Sequence, residues 1–277
     1  MRGKPKEERE AVELDLLMEG IRRVYGYDLR EYERASVSRR VQSHLQATGT
    51  RSITALLEKI LHDPEEMKTF LGNLLVGVTT MFRDPDLFRA IRETVVPLLH
   101  TYPSVRIWHA GCATGEEVYS MAILLWEEGV LDKTHIYATD ISEASLTRAR
   151  RGTFPLRKLS EYARHYREAG GQGDFASYCE IEDDTVTFAP FLGRQLVFSE
   201  HNLATDTSFN EFHVIFCRNV LIYFSQSLQD RVHDLFYQSL PLLGFLILGD
   251  KESIRFSKHE DCYEPWSGQE KLYRKLR

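Results

Sequence analysis

The sequence predicts an all-helical amino-terminal domain followed by an α/β domain with a mainly parallel sheet. Two observations support this fold class. Between about residues 10 and 74, apolar side chains recur at helical spacing and helix breakers are few. From about residue 105 onward, short runs rich in β-branched and aromatic residues alternate with helical stretches, which is typical of βαβ units.

The helical part is predicted to contain three or four short helices. Its apolar positions include Leu14, Leu17, Ile21, Val24, Val41 and Leu45. The first break is expected near Gly49, because glycine commonly ends a helix and Ser52 can cap the next one. A second break is expected at Asp63 and Pro64, because aspartate can cap a helix and proline suits its first turn.

The α/β part is predicted to contain short strands joined by helices, which are expected over about residues 116–128 and 226–240. The strands are expected at residues 105–109, 135–139, 196–198, 212–217, 245–248 and 271–276, the last as a closing edge strand. An insertion over residues 152–194 is predicted to form a small appended subdomain with a hairpin around Asp183 and Asp184.

Composition argues against several classes of protein. A net charge of −6 disfavours a nucleic-acid substrate, since phosphate binding needs a basic surface. The charged amino terminus lacks an apolar signal segment, and the most apolar run, residues 240–248, is about half the roughly 20 residues that span a bilayer. The cysteines, Cys112, Cys179, Cys217 and Cys262, form no CxxC pair and lack zinc-ligand spacing. We therefore expect a cytoplasmic protein with reduced thiols, no metal site and no inserted membrane helix.

The first candidate site is a glycine-rich turn between a strand and a helix, Gly111-Cys-Ala-Thr-Gly-Glu-Glu117. Such a turn presents free backbone N–H groups to a ligand. It matches neither the G-x-G-x-x-G dinucleotide pattern nor a Walker loop. Glu116 and Glu117 would repel a pyrophosphate but can accept hydrogen bonds from an amine, so S-adenosylmethionine suits this turn better than NAD. The alternative is that both glutamates only favour the helix dipole.

The second candidate is Asp140, at the carboxyl end of the second predicted strand. In open α/β sheets an acid at this place commonly binds a ribose diol. The alternative is that Asp140 caps the next helix. A strand, a glycine turn, a helix, a second strand and an acid in this order together indicate a nucleoside-binding half-domain.

Further polar groups interrupt apolar stretches. Arg218 and Asn219 follow the strand predicted at residues 212–217, and Arg83 ends the apolar-rich stretch at residues 78–83. Buried polar and charged groups need partners. Either a ligand or an internal ion pair would satisfy Arg218 and Asn219, and Arg83 must be paired or face a cleft.

Taken together, these motifs resemble the CheR family of chemoreceptor methyltransferases, and the resemblance covers nearly the whole chain. In the family's order, the motifs are VTTMFR at 78–83, AGCATGEEVYS at 110–120, ATDIS at 138–142, FSEHNL at 198–203, CRNVLIYF at 217–224 and GDKES at 249–253. The resemblance implies a Rossmann-like methyltransferase domain over residues 105–277, with an inserted β subdomain at about 170–195. It also implies a helical receptor-recognition domain over residues 1–76 and a cofactor-contacting linker over 77–104.

The resemblance also implies which residues act. Cofactor contacts are expected from Gly77, Thr79, Arg83, Gly111, Glu116, Glu117, Asp140, Asn202, Leu203, Arg218 and Asn219. Arg83 and Tyr223 are expected to border the methyl-transfer pocket as catalytic residues. Gly77, Met81 and Val118 depart from the family pattern, which commonly carries an asparagine, an aromatic residue and a proline there. None of these changes removes the core set.

By this resemblance, the protein transfers a methyl group from S-adenosylmethionine to glutamate side chains in the cytoplasmic signalling domain of methyl-accepting chemotaxis receptors. The helical domain carries a basic stretch that would complement glutamate-rich receptor helices. The stretch consists of Arg22, Arg23, Arg30, Arg34, Arg39 and Arg40. Arg39 and Arg40 are the predicted substrate contacts, and the alternative is that the arginines only form a solvated helix face. A monomer is expected.

Alternative functions make different predictions. An NAD-dependent oxidoreductase would share the fold class, but the chain lacks the G-x-G-x-x-G pattern. A nucleic-acid base methyltransferase would typically carry an Asn/Asp-Pro-Pro-Tyr motif where this chain has Cys217-Arg-Asn-Val. A CheR-like enzyme that acts on another protein, or a non-catalytic docking protein that senses S-adenosylmethionine, would keep all of the motifs.

Overall fold

The computed structural model describes residues 6–74 and 79–277, apart from the side chains of Gln269 and Glu270. The chain divides into two compact units. The helical unit comprises Met1–Val76 and Ile222–Arg231, and the sheet unit comprises Gly77–Leu221 and Val232–Arg277. No helix in the two described ranges has an apolar stretch long enough to cross a membrane.

Within residues 6–74, the helical unit forms four helices, as predicted. They are α1 (Lys6–Tyr25), α2 (Arg34–Thr48), α3 (Ile53–His62) and α4 (Pro64–Leu74). Both predicted breaks are confirmed. Gly49 ends α2 with a φ of 67°, and the Ser52 hydroxyl accepts a hydrogen bond from the Ala55 N–H at 3.1 Å. Asp63 accepts a hydrogen bond from the Glu65 N–H at 2.9 Å where α4 begins.

The helices bury one face each in a shared apolar core. Ile21, Leu56, Ile60 and Phe70 are fully buried there. The Tyr25 hydroxyl donates a hydrogen bond to the Ile60 carbonyl at 2.5 Å, which ties the end of α1 to α3.

A segment distant in sequence also packs in the helical unit. The Glu33 N–H donates to the Tyr223 carbonyl at 2.7 Å, and the Ser225 N–H donates to the Glu31 carbonyl at 2.8 Å. The rings of Tyr32 and Phe224 meet edge to face, with centroids 5.0 Å apart. The backbone around Tyr223 is therefore fixed against the loop that precedes α2.

Within residues 79–277, the sheet unit contains a seven-stranded and a three-stranded sheet. The strands are β1 (Val105–Ala110), β2 (Thr134–Asp140), β3 (Thr153–Pro155), β4 (Cys179–Glu182), β5 (Thr185–Phe188), β6 (Leu196–Glu200), β7 (Val214–Cys217), β8 (Phe245–Leu248), β9 (Tyr263–Trp266) and β10 (Gln269–Lys275). The larger sheet has the order β6-β2-β1-β7-β8-β10-β9, and its first five strands are mutually parallel. The predicted α/β fold with a mainly parallel sheet is confirmed, and each predicted strand is present.

Both faces of the larger sheet are covered. The remaining helices are α5 (Pro85–Ala90), α6 (Val96–Leu99), α7 (Glu116–Glu127), α8 (Glu143–Arg151), α9 (Leu159–Glu168), α10 (Pro190–Gly193) and α11 (Gln226–Ser239). On β1, Ile107 joins a core that includes Leu124 of α7, whereas Trp108 packs against Phe212 and Phe236, with ring centroids 5.2 and 5.5 Å away. Successive strand residues point to opposite faces, so β1 is buried on both sides.

One predicted strand has a different place in the sheet. Residues 271–276 were expected to form the closing edge, but β10 lies between β8 and β9, and β9 is the edge strand. The sequence of β9 contains Pro265, which cannot donate a ladder hydrogen bond and is tolerated at an edge. That proline breaks the strand pattern in the sequence, so β9 was not predicted.

The insertion forms the smaller sheet, of order β3-β5-β4. The predicted hairpin is confirmed: β4 and β5 are antiparallel, and Asp183 takes a φ of 48° in the turn between them. The third strand, β3, comes from Thr153–Pro155, upstream of the range at about 170–195. Helix α9 lies between β3 and β4 in the chain and was not predicted.

Arg92 forms a buried ion pair at one end of α7. It lies in a π-helical turn, Ile91–Val95, between α5 and α6. Its guanidinium pairs with Glu127 at 2.5 Å and also with Glu128. Glu127 lies about 16 Å along the axis of α7 from Glu116, because a helix rises about 1.5 Å per residue. This ion pair is therefore remote from the glycine-rich turn that precedes α7.

Candidate active site

Most of the predicted cofactor residues follow the carboxyl ends of adjacent parallel strands. Gly111 follows β1, Asp140 ends β2, Asn202 follows β6 and Arg218 follows β7. From β1 the chain continues to β2 on one side, whereas β7 pairs with β1 on the other side. The carboxyl edge at such a switch point is where open α/β sheets bind ligands. The sheet therefore brings these predicted residues to one edge.

The glycine-rich turn is closed by backbone hydrogen bonds. The N–H groups of Gly111 and Cys112 both donate to the Thr139 carbonyl, at 2.8 and 2.9 Å. Gly111 has a φ of 76°, and a Cβ added there would lie 2.4 Å from Cγ2 of Val220. Glycine is thus required both by the backbone conformation and by the close approach of Val220.

Asp140 connects the turns that follow β1 and β2. Its Oδ2 accepts a hydrogen bond from the Ala113 N–H and its Oδ1 accepts one from the Ser142 N–H, each at 2.9 Å. Helix α8 is capped by Ser142, whose hydroxyl accepts from the Ser145 N–H at 3.3 Å. Burial raises the pKa of Asp140, and the backbone N–H groups of Ser142 and Ala113 offset part of that rise. Its proposed contact with a ribose stays a prediction.

A buried charge network links β1, α7 and the loop after β7. The Arg218 side chain is only 1% exposed, and its Nη1 donates to Glu117 at 2.8 Å and to the Arg83 carbonyl at 3.2 Å. Its Nη2 also pairs with Asp84. The second oxygen of Glu117 lies 3.0 Å from Nδ1 of His109. The sequence left open whether a ligand or an internal ion pair satisfies Arg218, and the structure shows an internal ion pair.

The network sets the ionisation of Glu117. Burial raises the pKa of this carboxyl, but the Arg218 guanidinium and His109 outweigh burial and lower the pKa to about 2. Glu117 therefore stays ionised throughout the neutral range.

We expect Glu117 to contribute an acid-sensitive part of the stability. Its pKa of about 2, against 4.5 for an ordinary glutamate, corresponds to roughly 3 kcal/mol of unfolding free energy at neutral pH. This contribution is complete above about pH 5 and is lost progressively as the pH falls toward about 2. Glu117→Gln should therefore unfold in urea with a weaker dependence on pH than the wild type. The same dependence in both proteins would contradict the pairing.

Glu116 has different partners from Glu117. Its Oε2 accepts from the Thr114 hydroxyl at 2.6 Å and its Oε1 from the Tyr162 hydroxyl at 3.3 Å. Glu116 and Glu117 therefore bind different polar side chains, although both lie in the first turn of α7. Both remain predicted cofactor contacts.

The segment before α5 is held against α7 and α9. The Phe82 N–H donates to the Ser120 hydroxyl at 2.8 Å, and Thr80 donates to Glu161 at 3.1 Å. Phe82 and Asp84 adopt φ values of 47° and 59°, which non-glycine residues seldom adopt. Thr79 is half-buried. The predicted contact Gly77 lies outside the described residues, as does residue 78.

The turn after β6 is closed on itself. The Asn202 N–H donates to Asp206 at 2.9 Å. The side-chain Oδ1 of Asn202 accepts from the Ala204 N–H, also at 2.9 Å. Leu203 is buried, and the His201 N–H donates to the Asp140 carbonyl at 3.2 Å. Asn202 and Leu203 thus belong to a turn that is attached to the end of β2.

In the helical unit, most of the basic stretch is already paired. Arg22 and Arg23 bind Glu19, Arg30 binds Asp28, and Arg34 binds Asp15. Arg40 instead lies over the Tyr223 ring, with its guanidinium carbon 4.7 Å from the ring centroid. Arg39 is exposed, and no carboxylate among the described residues forms an ion pair with it or with Arg40.

Three site residues were not singled out from the sequence. Asp84 and His109 belong to the charge network around Glu117 and Arg218. Glu252 accepts backbone hydrogen bonds from the loop after β7. Their signal in the sequence was weak: Glu252 lies inside the GDKES motif, but neither spacing nor periodicity indicates its partners.

Two family descriptions match the chain. Residues 77–271 match the CheR methyltransferase SAM-binding domain, where SAM is S-adenosylmethionine, and residues 12–75 match the CheR methyltransferase all-alpha domain. The chain belongs to the CheR methyltransferase family. The CheR cofactor is S-adenosylmethionine, so the prediction that favoured it over NAD is confirmed.

Relatives that this chain matches over most of their length are named as methyltransferases. A Pseudomonas putida protein named as methyltransferase Cher3, without a stated substrate, is 47% identical over 264 residues, which cover 95% of this chain and 97% of the relative. A Listeria monocytogenes chemotaxis protein methyltransferase is 28% identical over 84% of this chain and 87% of its own length. The Pseudomonas aeruginosa chemotaxis protein methyltransferase 2 is 28% identical over 87% and 86%.

The residues at the carboxyl edge fit S-adenosylmethionine chemically. Asp140 offers a carboxylate that suits a ribose diol, and the acidic start of α7 suits an ammonium or sulfonium group. Among the described residues, several buried side-chain atoms have no hydrogen-bond partner, and they include Nε of Arg218 and Nε2 of His109 at this site as well as Nε of Arg92 at the far end of α7. Buried polar atoms normally find a partner, and the Nε–H of Arg218 suits an anionic group such as the cofactor's carboxylate.

Proposed function

We propose that this protein transfers the methyl group of S-adenosylmethionine to glutamate side chains of methyl-accepting chemotaxis receptors, forming methyl esters. The proposal is carried by the convergence of Asp140, Asn202, Glu117 and Arg218 on one sheet edge in a CheR-family chain. The relatives named as chemotaxis protein methyltransferases support the receptor as substrate. The protein would act as a cytoplasmic monomer on the receptor's signalling domain.

Methyl transfer to a carboxylate requires alignment of the reacting atoms more than it requires proton transfer. S-Adenosylmethionine would supply a methyl group on a positively charged sulfur, and transfer of that group to a carboxylate oxygen would leave the neutral thioether S-adenosylhomocysteine as the product. A glutamate side chain, whose ordinary pKa lies well below 7, is already ionised at neutral pH, so no strong general base is needed. Alignment of the reacting atoms in a dry pocket can lower the barrier by roughly 7–11 kcal/mol.

The predicted cofactor-binding residues would each hold a different part of S-adenosylmethionine. Asp140 accepts hydrogen bonds from the ribose hydroxyls, and Glu116 or Glu117 accepts them from the amine. Backbone or side-chain groups of Gly77, Thr79, Gly111, Asn202, Leu203, Arg218 and Asn219 complete the predicted set. Arg83 and Tyr223 would hold the incoming carboxylate or the cofactor by charge-assisted and hydroxyl hydrogen bonds.

Peptide mapping of a receptor signalling fragment tests this proposal. The purified protein, S-adenosylmethionine and the fragment are incubated, and mass spectrometry locates each added methyl group. Methyl groups on glutamates of the signalling domain support the proposal, and replacement of those glutamates by alanine should remove them. An unmodified fragment, together with methylation of other proteins when a cell extract replaces the fragment, would contradict the receptor as substrate and favour a CheR-like enzyme with another target.

Arg39 is the residue of the basic stretch that is best placed to contact an acidic receptor helix, since it is exposed. Arg30 and Arg34 already pair with carboxylates, and Arg40 lies over the Tyr223 ring. Arg39→Glu should raise the KM for receptor about tenfold at low salt, because like charges slow and weaken association. Arg51→Glu, at an exposed arginine of the same unit outside the basic stretch, is the matched control. Equal effects of both substitutions, or a parallel loss of S-adenosylmethionine binding, would contradict this role.

A further inference from the structure

The Glu252 carboxylate lies at the centre of a cluster of backbone N–H groups. Its Oε1 accepts hydrogen bonds from Val220 at 2.7 Å and from Leu221 at 2.8 Å. Its Oε2 accepts them from Asn219 at 2.9 Å and from Gly249 at 2.6 Å. The side chain therefore joins the carboxyl end of β8 to the loop that follows β7.

Both oxygens of the Glu252 carboxylate accept from N–H groups, which favours the ionised form, although burial raises the pKa of this carboxyl. The residue is only 3% exposed, and hydrogen bonds from N–H groups to an ionised acceptor are roughly twice as strong as neutral ones. Asn219 adopts a φ of 62°, in the left-handed region that asparagine tolerates better than most residues with a side chain. The carboxylate thus fixes the loop in this conformation through four backbone N–H groups.

The surroundings leave the loop little freedom to shift. A Cβ added to Gly249 would lie 2.7 Å from Oε2 of Glu252 and 2.9 Å from the Asn219 nitrogen. On the other side, a Cβ added to Gly111 would lie 2.4 Å from Val220. The loop is therefore packed between the two glycines, and its position determines the space beside the turn after β1.

We propose that Glu252 is a positioning residue for S-adenosylmethionine binding. By fixing residues 219–221 through their N–H groups, it places Asn219 at the cofactor site and sets Val220 against Gly111. Glu252 itself need not touch the cofactor. The proposal concerns cofactor binding alone, so its failure would leave the assignment of the receptor as substrate unaffected.

Glu252→Gln is the direct test, because it keeps the shape of the side chain but replaces one acceptor oxygen with an NH2 donor. In either orientation of the amide, two of the four N–H groups lose their acceptor. We expect the affinity for S-adenosylhomocysteine, measured by calorimetry, to fall about tenfold to a hundredfold. Hydrogen exchange should accelerate at the amides of Asn219, Val220 and Leu221.

A matched control separates positioning from general loosening. Glu127 is also a buried carboxylate with several donors, including the Tyr178 hydroxyl at 3.0 Å and Arg92, but it lies at the far end of α7. Glu127→Gln should lower the urea midpoint and leave the affinity for S-adenosylhomocysteine at the wild-type value.

Either of two results would overturn the proposal: wild-type affinity in Glu252→Gln despite faster exchange at residues 219–221, or an equal loss of affinity in Glu127→Gln. If Glu252→Gln does not fold, Gly249→Ala applies the same test, because its methyl group pushes the carboxylate away from Asn219. For this variant, weaker binding with faster exchange supports the proposal and wild-type affinity with faster exchange overturns it.

Discussion

Arg218→Met should lower the free energy of unfolding by about 3–5 kcal/mol, because it leaves two carboxylates without their buried partner. Those carboxylates are Glu117 and Asp84. The same substitution should weaken S-adenosylmethionine binding about a hundredfold, since the charge network around Arg218 connects the start of α7 to the loop after β7. Urea unfolding and calorimetry with S-adenosylhomocysteine measure the two effects.

Arg92→Met is the matched control for this substitution. Arg92 is likewise buried and pairs with two carboxylates, Glu127 and Glu128, but at the far end of α7. A similar loss of stability with unchanged cofactor affinity is expected for it. If Arg218→Met bound S-adenosylhomocysteine as tightly as the wild type, the assignment of the charge network to the cofactor site would be wrong.

Tyr223→Phe should reduce kcat about a hundredfold and leave cofactor affinity nearly unchanged, because a hydroxyl that acts on the transition state contributes little to ground-state binding. The backbone carbonyl of Tyr223 is held by Glu33, and Arg40 lies over its ring. Both contacts survive the substitution, so the change isolates the hydroxyl group.

Tyr25→Phe controls for the loss of a tyrosine hydroxyl in the helical unit. Its hydroxyl donates to the Ile60 carbonyl in the helical core, so about 1 kcal/mol of stability should be lost and kcat should stay at the wild-type value. Wild-type turnover in Tyr223→Phe would refute a catalytic role for that hydroxyl.

The fold was largely predictable because its signals are local. Gly49, Ser52 and Asp63 fix helix ends through contacts within a few residues, and the alternating strand and helix patterns need no knowledge of distant partners. The place of residues 222–231 in the helical unit could not be predicted from local signals. It depends on hydrogen bonds to Glu31 and Glu33, and because Glu31 lies 194 residues before Ser225 in the chain, no local pattern encodes them.

The candidate site was predictable in its chemistry more than in its connections. The positions of Gly111, Asp140 and Arg218 at strand ends indicated ligand contacts, but the pairing of Arg218 with Glu117 and Asp84 arises only when strands and helix are assembled. Glu252 was missed for a related reason. Its partners are backbone N–H groups, which every residue except proline carries, so they leave no trace in the sequence.

Methylation of receptor glutamates is tested most directly by methyl transfer to receptor-containing membranes with S-adenosylmethionine labelled in its methyl group, followed by mild base and capture of volatile methanol. We expect the label to be released as methanol, because a carboxyl methyl ester hydrolyses in base. Label that stays bound through base treatment, or no transfer by protein that demonstrably binds the cofactor, would contradict glutamate methylation.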